Sequence, residues 1–436
     1  MNLSAFFSRI SQGALCAALF SVLSVSSAAA SEQSAPPSGA VLKRVVLVAR
    51  HGIRSPTQKI ETLNVKTGRS WSPWPVPPGQ LTDHGRADLH LMGDFIRHYY
   101  APFSGLGGAE KQVCPHTSSL FVWADAADTR TRQTGDILAQ SMSGGCVSQA
   151  HSLAPGQKDP LFNALASGHA YADQHNISAI LQAVYRHDEA GALPRDVREA
   201  EETLQKLFDP EGCGHTPAIC FTAPARLTWK KGAPHASGGL ALSATVSENL
   251  LLEYAQGLPA TVSLPASSSD DSQIALLNIV LPAHNYQSET IRRMPALAAR
   301  RGQFLVSAIL ALLDNKVPSS PAEAVFPQDA KVVVFAGHDT TLDMLSALFG
   351  LDWSFKDQPD PTAPDTVLGF ELWQMPDGKN QVKFVIFHQS LKQLRETLPV
   401  ADRADHGQPQ VLQSRLCQAE TVCTPEVLAR HIAHAG

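Results

Sequence analysis

The sequence predicts an α/β protein, a mainly parallel sheet with helices on both faces, carrying an inserted and mostly helical cap. Three observations lead there. Three segments repeat one pattern: a short apolar run, an abrupt polar cluster, then apolar residues at helical spacing. The runs are continuous rather than alternating, as in parallel strands buried on both faces. Between residues 155 and 265 the pattern changes to helical segments separated by Gly/Pro-rich joints. A chain of 436 residues therefore divides into a core of residues 31–154 and 266–436 and a cap of residues 155–265.

The first run, Val45-Val46-Leu47-Val48-Ala49, ends in Arg50-His51-Gly52-Ile53-Arg54-Ser55-Pro56. An amphipathic helix is expected over residues 82–100, with Leu89, Met92, Ile96 and Tyr99 on one face. The second run, Leu120-Phe121-Val122-Trp123, leads into Asp125 and Asp128-Thr129-Arg130-Thr131-Arg132, after which Ile137, Leu138 and Met142 mark a helix face. Residues 178–185 and 197–208 read as cap helices. The third run, residues 331–337, precedes His338-Asp339-Thr340-Thr341 and a helix carrying Leu342, Met344, Leu345, Leu348 and Phe349. Residues 382–387 read as a late strand and residues 402–409 as loop. In open parallel sheets ligands lie beyond the carboxyl ends of the strands. All three polar clusters fall there.

Residues 1–30 hold one charge, Arg9, then an apolar stretch and a small-residue end at Ala28-Ala29-Ala30, the pattern of a cleaved secretory signal. Its apolar part is too short to span a bilayer, so the exported chain is expected to be periplasmic or secreted, without stable membrane insertion. Cleavage takes basic residues from 35 to 34 against 40 acidic ones, shifting the net charge from −5 to −6. That balance argues against nucleic acid as a partner. An anionic substrate has to be drawn by a local cationic cluster.

Cys16 leaves with the signal, and six cysteines remain: Cys114, Cys146, Cys213, Cys220, Cys417 and Cys423. In an exported chain an even number implies a disulfide framework. The close pairs Cys213/Cys220 and Cys417/Cys423 suggest local staples, which leaves Cys114 with Cys146.

The chemistry concentrates at Arg50-His51-Gly52-x-Arg54. A neutral imidazole is a competent nucleophile toward phosphorus, and guanidinium forks match phosphoryl oxygens. Gly52 allows a sharp turn and close backbone approach. No metal-ligand constellation such as H-E-x-x-H occurs, and neither metal nor cofactor is expected.

This arrangement resembles the histidine acid phosphatase family, whose second motif His338-Asp339 matches. Trp74-Pro75, Gln80-Leu81-Thr82, Asp128-x-Arg130-Thr131-Arg132, Asp159-Pro160-Leu161-Phe162-Asn163 and Gly337-His338-Asp339-Thr340 look like the bacterial phytase and glucose-1-phosphatase branch. The resemblance covers essentially the whole chain after the signal and implies the same three disulfides. It makes His51 the nucleophile of a phosphohistidine intermediate and Asp339 the acid that protonates the leaving alkoxide. Arg50, Arg54, Arg130 and His338 would hold the phosphate. Arg130 is preferred to Arg132 by the Arg-Thr match. Thr57 is a further candidate phosphate contact. An acidic optimum follows, since surrounding guanidiniums keep His51 neutral while Asp339 has to carry a proton.

The expected substrate is a small phosphomonoester, handled by a monomer. Gly52, where glucose-1-phosphatases usually have Asn, and Glu248, which looks like the phytase cleft Glu, lean toward phytate. Gln58, where bacterial phytases often carry Lys, leans the other way. A glucose-1-phosphatase or broad-specificity phosphatase is the alternative. A mutase-like transferase and a non-catalytic phosphate-ester binder are weaker readings. The first sits badly with export and disulfides, the second with the presence of both His51 and Asp339.

Overall fold

The computed structural model describes residues 38–104, 119–184, 193–213, 219–230, 233–264, 270–322, 324–400, 408–420 and 422–434. The expected signal segment and Cys114 lie outside these residues. In chain order the elements are β1 (Val41–Arg50), α1 (Ile60–Thr67), α2 (Asp83–Ser104), β2 (Leu120–Ala124), α3 (Thr129–Met142), α4 (Gln174–Val184) and α5 (Arg195–Phe208). There follow β3 (Arg226–Lys230), β4 (Ala233–Ser237), α6 (Gly239–Ala255), α7 (Asp270–Gln287), α8 (Pro295–Leu313), β5 (Val332–Gly337) and α9 (Asp339–Phe349). The chain ends with β6 (Val367–Gln374), β7 (Asn380–Phe387), α10 (Leu391–Glu396), β8 (Gln410–Leu412) and α11 (Pro425–His434).

The class is α/β, and the main sheet is mixed rather than mainly parallel. Its order is β2-β5-β1-β6-β7-β8, with β2, β5 and β1 parallel and the remaining pairings antiparallel. The parallel strands are those whose apolar runs stand out in the sequence. Alternate residues of one strand feed two cores. Val46 and Val48 join Val333, Phe335, Leu305 and Leu345 beneath α8 and α9, whereas Val45 and Leu47 join Val334, Met92, Ile96 and Leu138 beneath α2 and α3. Both faces are thus covered, which explains why these strands read as unbroken apolar runs. Helix α8 is long and apolar enough to cross a membrane, yet Leu297, Leu305, Ile309 and Leu313 are buried against the rest of the fold.

The cap region is mostly helical, with one two-stranded addition: β3 and β4 form an antiparallel hairpin that the sequence pattern did not suggest. Its core, Leu204, Phe208, Val246, Leu250 and Leu251, also takes Leu276, Leu277, Val280 and Leu281 from α7. The helical cluster therefore continues past residue 265. Disulfides Cys213–Cys220 and Cys417–Cys423 are formed, and Cys146 is disulfide-bonded.

Candidate active site

Parallel register brings the three polar clusters together. Arg50 stands opposite Gly337, and Ala124 opposite Ala336. The ladder runs one step past the strands, with His51 N–H donating to Gly337 O at 3.0 Å and Asp125 N–H to Ala336 O at 2.9 Å. Hence His51, Asp125 and His338 leave the sheet side by side. Gly52 is required here by packing: a Cβ would meet Gly85 O and a Leu89 methyl, each at 2.8 Å.

His51 is buried, and its Nδ1 lies 2.9 Å from the Gly52 carbonyl oxygen. That oxygen only accepts, so Nδ1 carries the hydrogen and Nε2 the free lone pair. Burial, reinforced by Arg130, Arg54, Arg50 and His338, holds the ring well below the ordinary histidine range. It stays neutral in acid. The His338 ring is edge-on at 5.5 Å between centroids.

Each cation is braced by an acid or a carbonyl. Arg50 donates to Asp360 Oδ2 at 3.0 Å, to the Thr362 carbonyl and, through Nη2, to Glu248 Oε1 at 2.9 Å. Arg54 Nη2 reaches the same Glu248 oxygen at 2.8 Å. Arg130 donates to Asp128 Oδ2 at 3.0 Å and to Gly79 O at 3.4 Å. His338 Nε2 is 3.1 Å from Asp125 Oδ2 and 3.4 Å from Asp128 Oδ2. Arg132 instead donates to Ala126 O and Thr129 Oγ1, which ties down its own loop.

Asp339 is the first residue of α9, where the helix dipole favours a carboxylate. Burial alone would raise its carboxyl, but Arg292, then Arg50, His284 and His51 outweigh it and hold it well below the usual range. Glu248 behaves alike: burial works upward, yet Arg54, His284 and Arg50 bring it down to about 2. Glu248 thus bridges two arginines at the site. Thr57 is exposed at the rim, beside the Pro56–Gly79 turn on which Arg130 rests.

The structure therefore brings together His51, Arg50, Arg54, Arg130, His338, Asp339 and Glu248. Sequence reasoning gave no role to Asp125, Asp128, Asp360 or Arg292. The two loop acids follow a strand end and could have been found as partners for the cations. Asp360 and Arg292 come from segments with no motif. A recess of about 230 Å³ adjoins His338, lined by Lys158, Asp159, Asn163, Arg301 and Thr340 among others. Burial and then Arg292 lower the Arg301 guanidinium to about 10, and neither Arg301 nor Lys158 is ion-paired among the described residues.

Residues 41–189 match the model of the histidine phosphatase superfamily, branch 2. The phytase AppA of Escherichia coli strain K12 is 30% identical over 383 residues, covering 84% of this chain and 85% of the relative. The chain belongs to the histidine acid phosphatases. A glucose-1-phosphatase of Salmonella typhimurium is 25% identical to this histidine acid phosphatase over 371 residues, covering 82% and 84% of the two chains. The apo phytase of Hafnia alvei superposes with a TM-score of 0.79 at 29% identity, over 92% of this chain and 98% of that one. The same phytase bound to myo-inositol hexakis sulphate gives 0.78 at 28% identity over the same shares.

Proposed function

We propose that this histidine acid phosphatase hydrolyses phosphomonoesters of a polyphosphorylated alcohol, phytate being the reference substrate. His51 Nε2 attacks phosphorus and forms a P–N bond as the ester P–O bond breaks. Asp339 gives its proton to the departing alkoxide. Water then attacks phosphorus, the P–N bond breaks and returns its electron pair to His51, and the water proton goes to the Asp339 carboxylate. Arg50, Arg54, Arg130 and His338 stabilise the charge on the phosphoryl oxygens, with Thr57 at the rim and Glu248 bracing two of the arginines. Export, read from residues 1–30, agrees with the disulfides among the described residues.

The observation that carries the substrate reading is the recess beside His338. Burying an unpaired guanidinium is costly, and a second phosphate of the same substrate would neutralise Arg301 and Lys158 there. A sugar monophosphate would leave both unpaired. Gln58, the residue that weighs against phytate, accepts from Lys66 Nζ at 2.7 Å. Steady-state rates for phytate, glucose 1-phosphate and an aryl phosphate between about pH 3 and 7 test the reading. Phytate is expected to be preferred, and Arg301→Gln to lower its kcat/KM about 10–100-fold while the aryl phosphate changes less than about threefold. Preference for glucose 1-phosphate, or equal losses on both esters, would overturn it.

A further inference from the structure

Helix α7 ends in a π-helical turn, Ser288–Arg292, before Pro295 opens α8. Such turns are rare and add a residue to the local repeat, often where a side chain has to be re-aimed. Here two consecutive arginines reach α9. Arg292 Nη1 lies 2.5 Å from Asp339 Oδ2 and 3.4 Å from Asp343 Oδ2, while Arg293 Nε lies 2.9 Å from Asp343 Oδ1. Asp339 and Asp343 are four residues apart, hence on one helix face. The Asp343 side chain is wholly buried. Arg293 is fixed in turn over the Trp353 ring, 5.5 Å from its centroid.

We propose that Arg292 is the positioning residue for Asp339: braced on Asp343, it occupies Oδ2, so that the proton given to the leaving group sits on Oδ1. This rests on the acid role given to Asp339 above. A guanidinium N–H can only donate, so an oxygen receiving one at 2.5 Å is the wrong place for a carboxyl hydrogen. Asp343 also keeps Arg292 from swinging onto the phosphate, since it engages Arg292 and Arg293 through its two oxygens.

The charged groups facing Asp339 define its protonation. They are Arg50 and His51 from the end of β1, Arg130 from α3, Glu248 from α6, His284 from α7, Arg292 from the π turn, and His338 and Asp343 from its own segment. Arg292 is the strongest of the influences that keep it ionised. A phosphate dianion between Arg50, Arg54 and Arg130 offsets the other cations and leaves Arg292 as the charge the acid works against.

The test compares an alkyl ester, glycerol 2-phosphate, whose leaving group needs a proton, with 4-nitrophenyl phosphate, whose leaving group needs it far less. In Arg292→Gln the alkaline limb of kcat for the alkyl ester is expected to move up by about one pH unit or more, with kcat down about 10–100-fold. The aryl ester should lose less than about threefold. Arg292→Lys keeps the charge and should keep the limb within about 0.3 units of wild type. An unmoved limb in folded Arg292→Gln, or equal losses on both esters, would overturn the inference. If Arg292→Gln fails to fold, Asp343→Asn decides: it should lower the alkyl-to-aryl rate ratio about threefold to tenfold, and an unchanged ratio overturns the inference. Wild-type protein that turns over neither ester would instead defeat the hydrolase reading itself.

Discussion

Strands β2, β5 and β1 run parallel and release their chains at one end into charged clusters, whereas β6, β7 and β8 run antiparallel and satisfy their polar groups locally. Glu371 on β6 illustrates the second half: it is buried, accepts from Tyr100 Oη at 2.9 Å and from Trp373 Nε1 at 2.8 Å, and stands opposite Lys383. His51, at the end of β1, illustrates the first: buried, crowded by three guanidiniums and left with an open ring nitrogen. Parallel strands have to end together with their loops diverging, which concentrates unsatisfied groups at one place. Antiparallel strands turn back on themselves and stabilise the frame. The segment leading into β6 links the two, since Asp360 and the Thr362 carbonyl brace Arg50 from behind.

The sharpest way to break this contrast is to remove His51. In His51→Ala, kcat/KM for any phosphomonoester should fall at least about 10⁴-fold, roughly 5.4 kcal/mol of transition-state stabilisation. The thermal midpoint should hold, because the lost ring is neutral and its one side-chain hydrogen bond is to the adjacent Gly52 carbonyl. Activity within about tenfold of wild type would break the assignment of the nucleophile. Glu371→Ala asks the opposite of the other half. It removes a buried carboxylate that accepts from a hydroxyl and an indole N–H, and should cost about 1–3 kcal/mol in urea unfolding with kcat within about twofold. A large loss of kcat at unchanged stability would show that the antiparallel half takes part in the chemistry.

The same contrast explains what could be read from sequence. Strands β1, β2 and β5 are apolar on both faces, so they appear as unbroken runs, and their terminal clusters keep local motifs. The run of β6 is interrupted by Gly369 and Glu371. Gly369 lies so close to β7 that a Cβ would stand 2.7 Å from a Val385 methyl, and Glu371 is buried where Tyr100 and Trp373 donate to it. Neither reason exists until the partners are known. At the site, His51, Arg54 and Asp339 are legible because short motifs hold them. Arg292 is not, since it reaches Asp339 across 47 positions through a π turn that leaves no periodic trace.

The smallest predicted effect concerns the support behind the nucleophile loop. Asp365 has a left-handed φ of 66°, and both its carboxylate oxygens lack hydrogen-bond partners among the described residues. Burial, reinforced by Asp88, pushes its carboxyl well up, and burial pushes Asp88 itself up to about 8. A folded-state value above the unfolded one means that the folded protein binds more protons. Stability from Asp88 is therefore complete below about pH 4 and is lost as pH rises toward about 8. Asp88→Asn removes that dependence: its urea midpoint should match wild type near pH 4 and exceed it by an amount worth on the order of 1–3 kcal/mol near pH 8. A gap that stays constant across this range breaks the argument, because an amide replacing a carboxylate already ionised in both states would change packing alone.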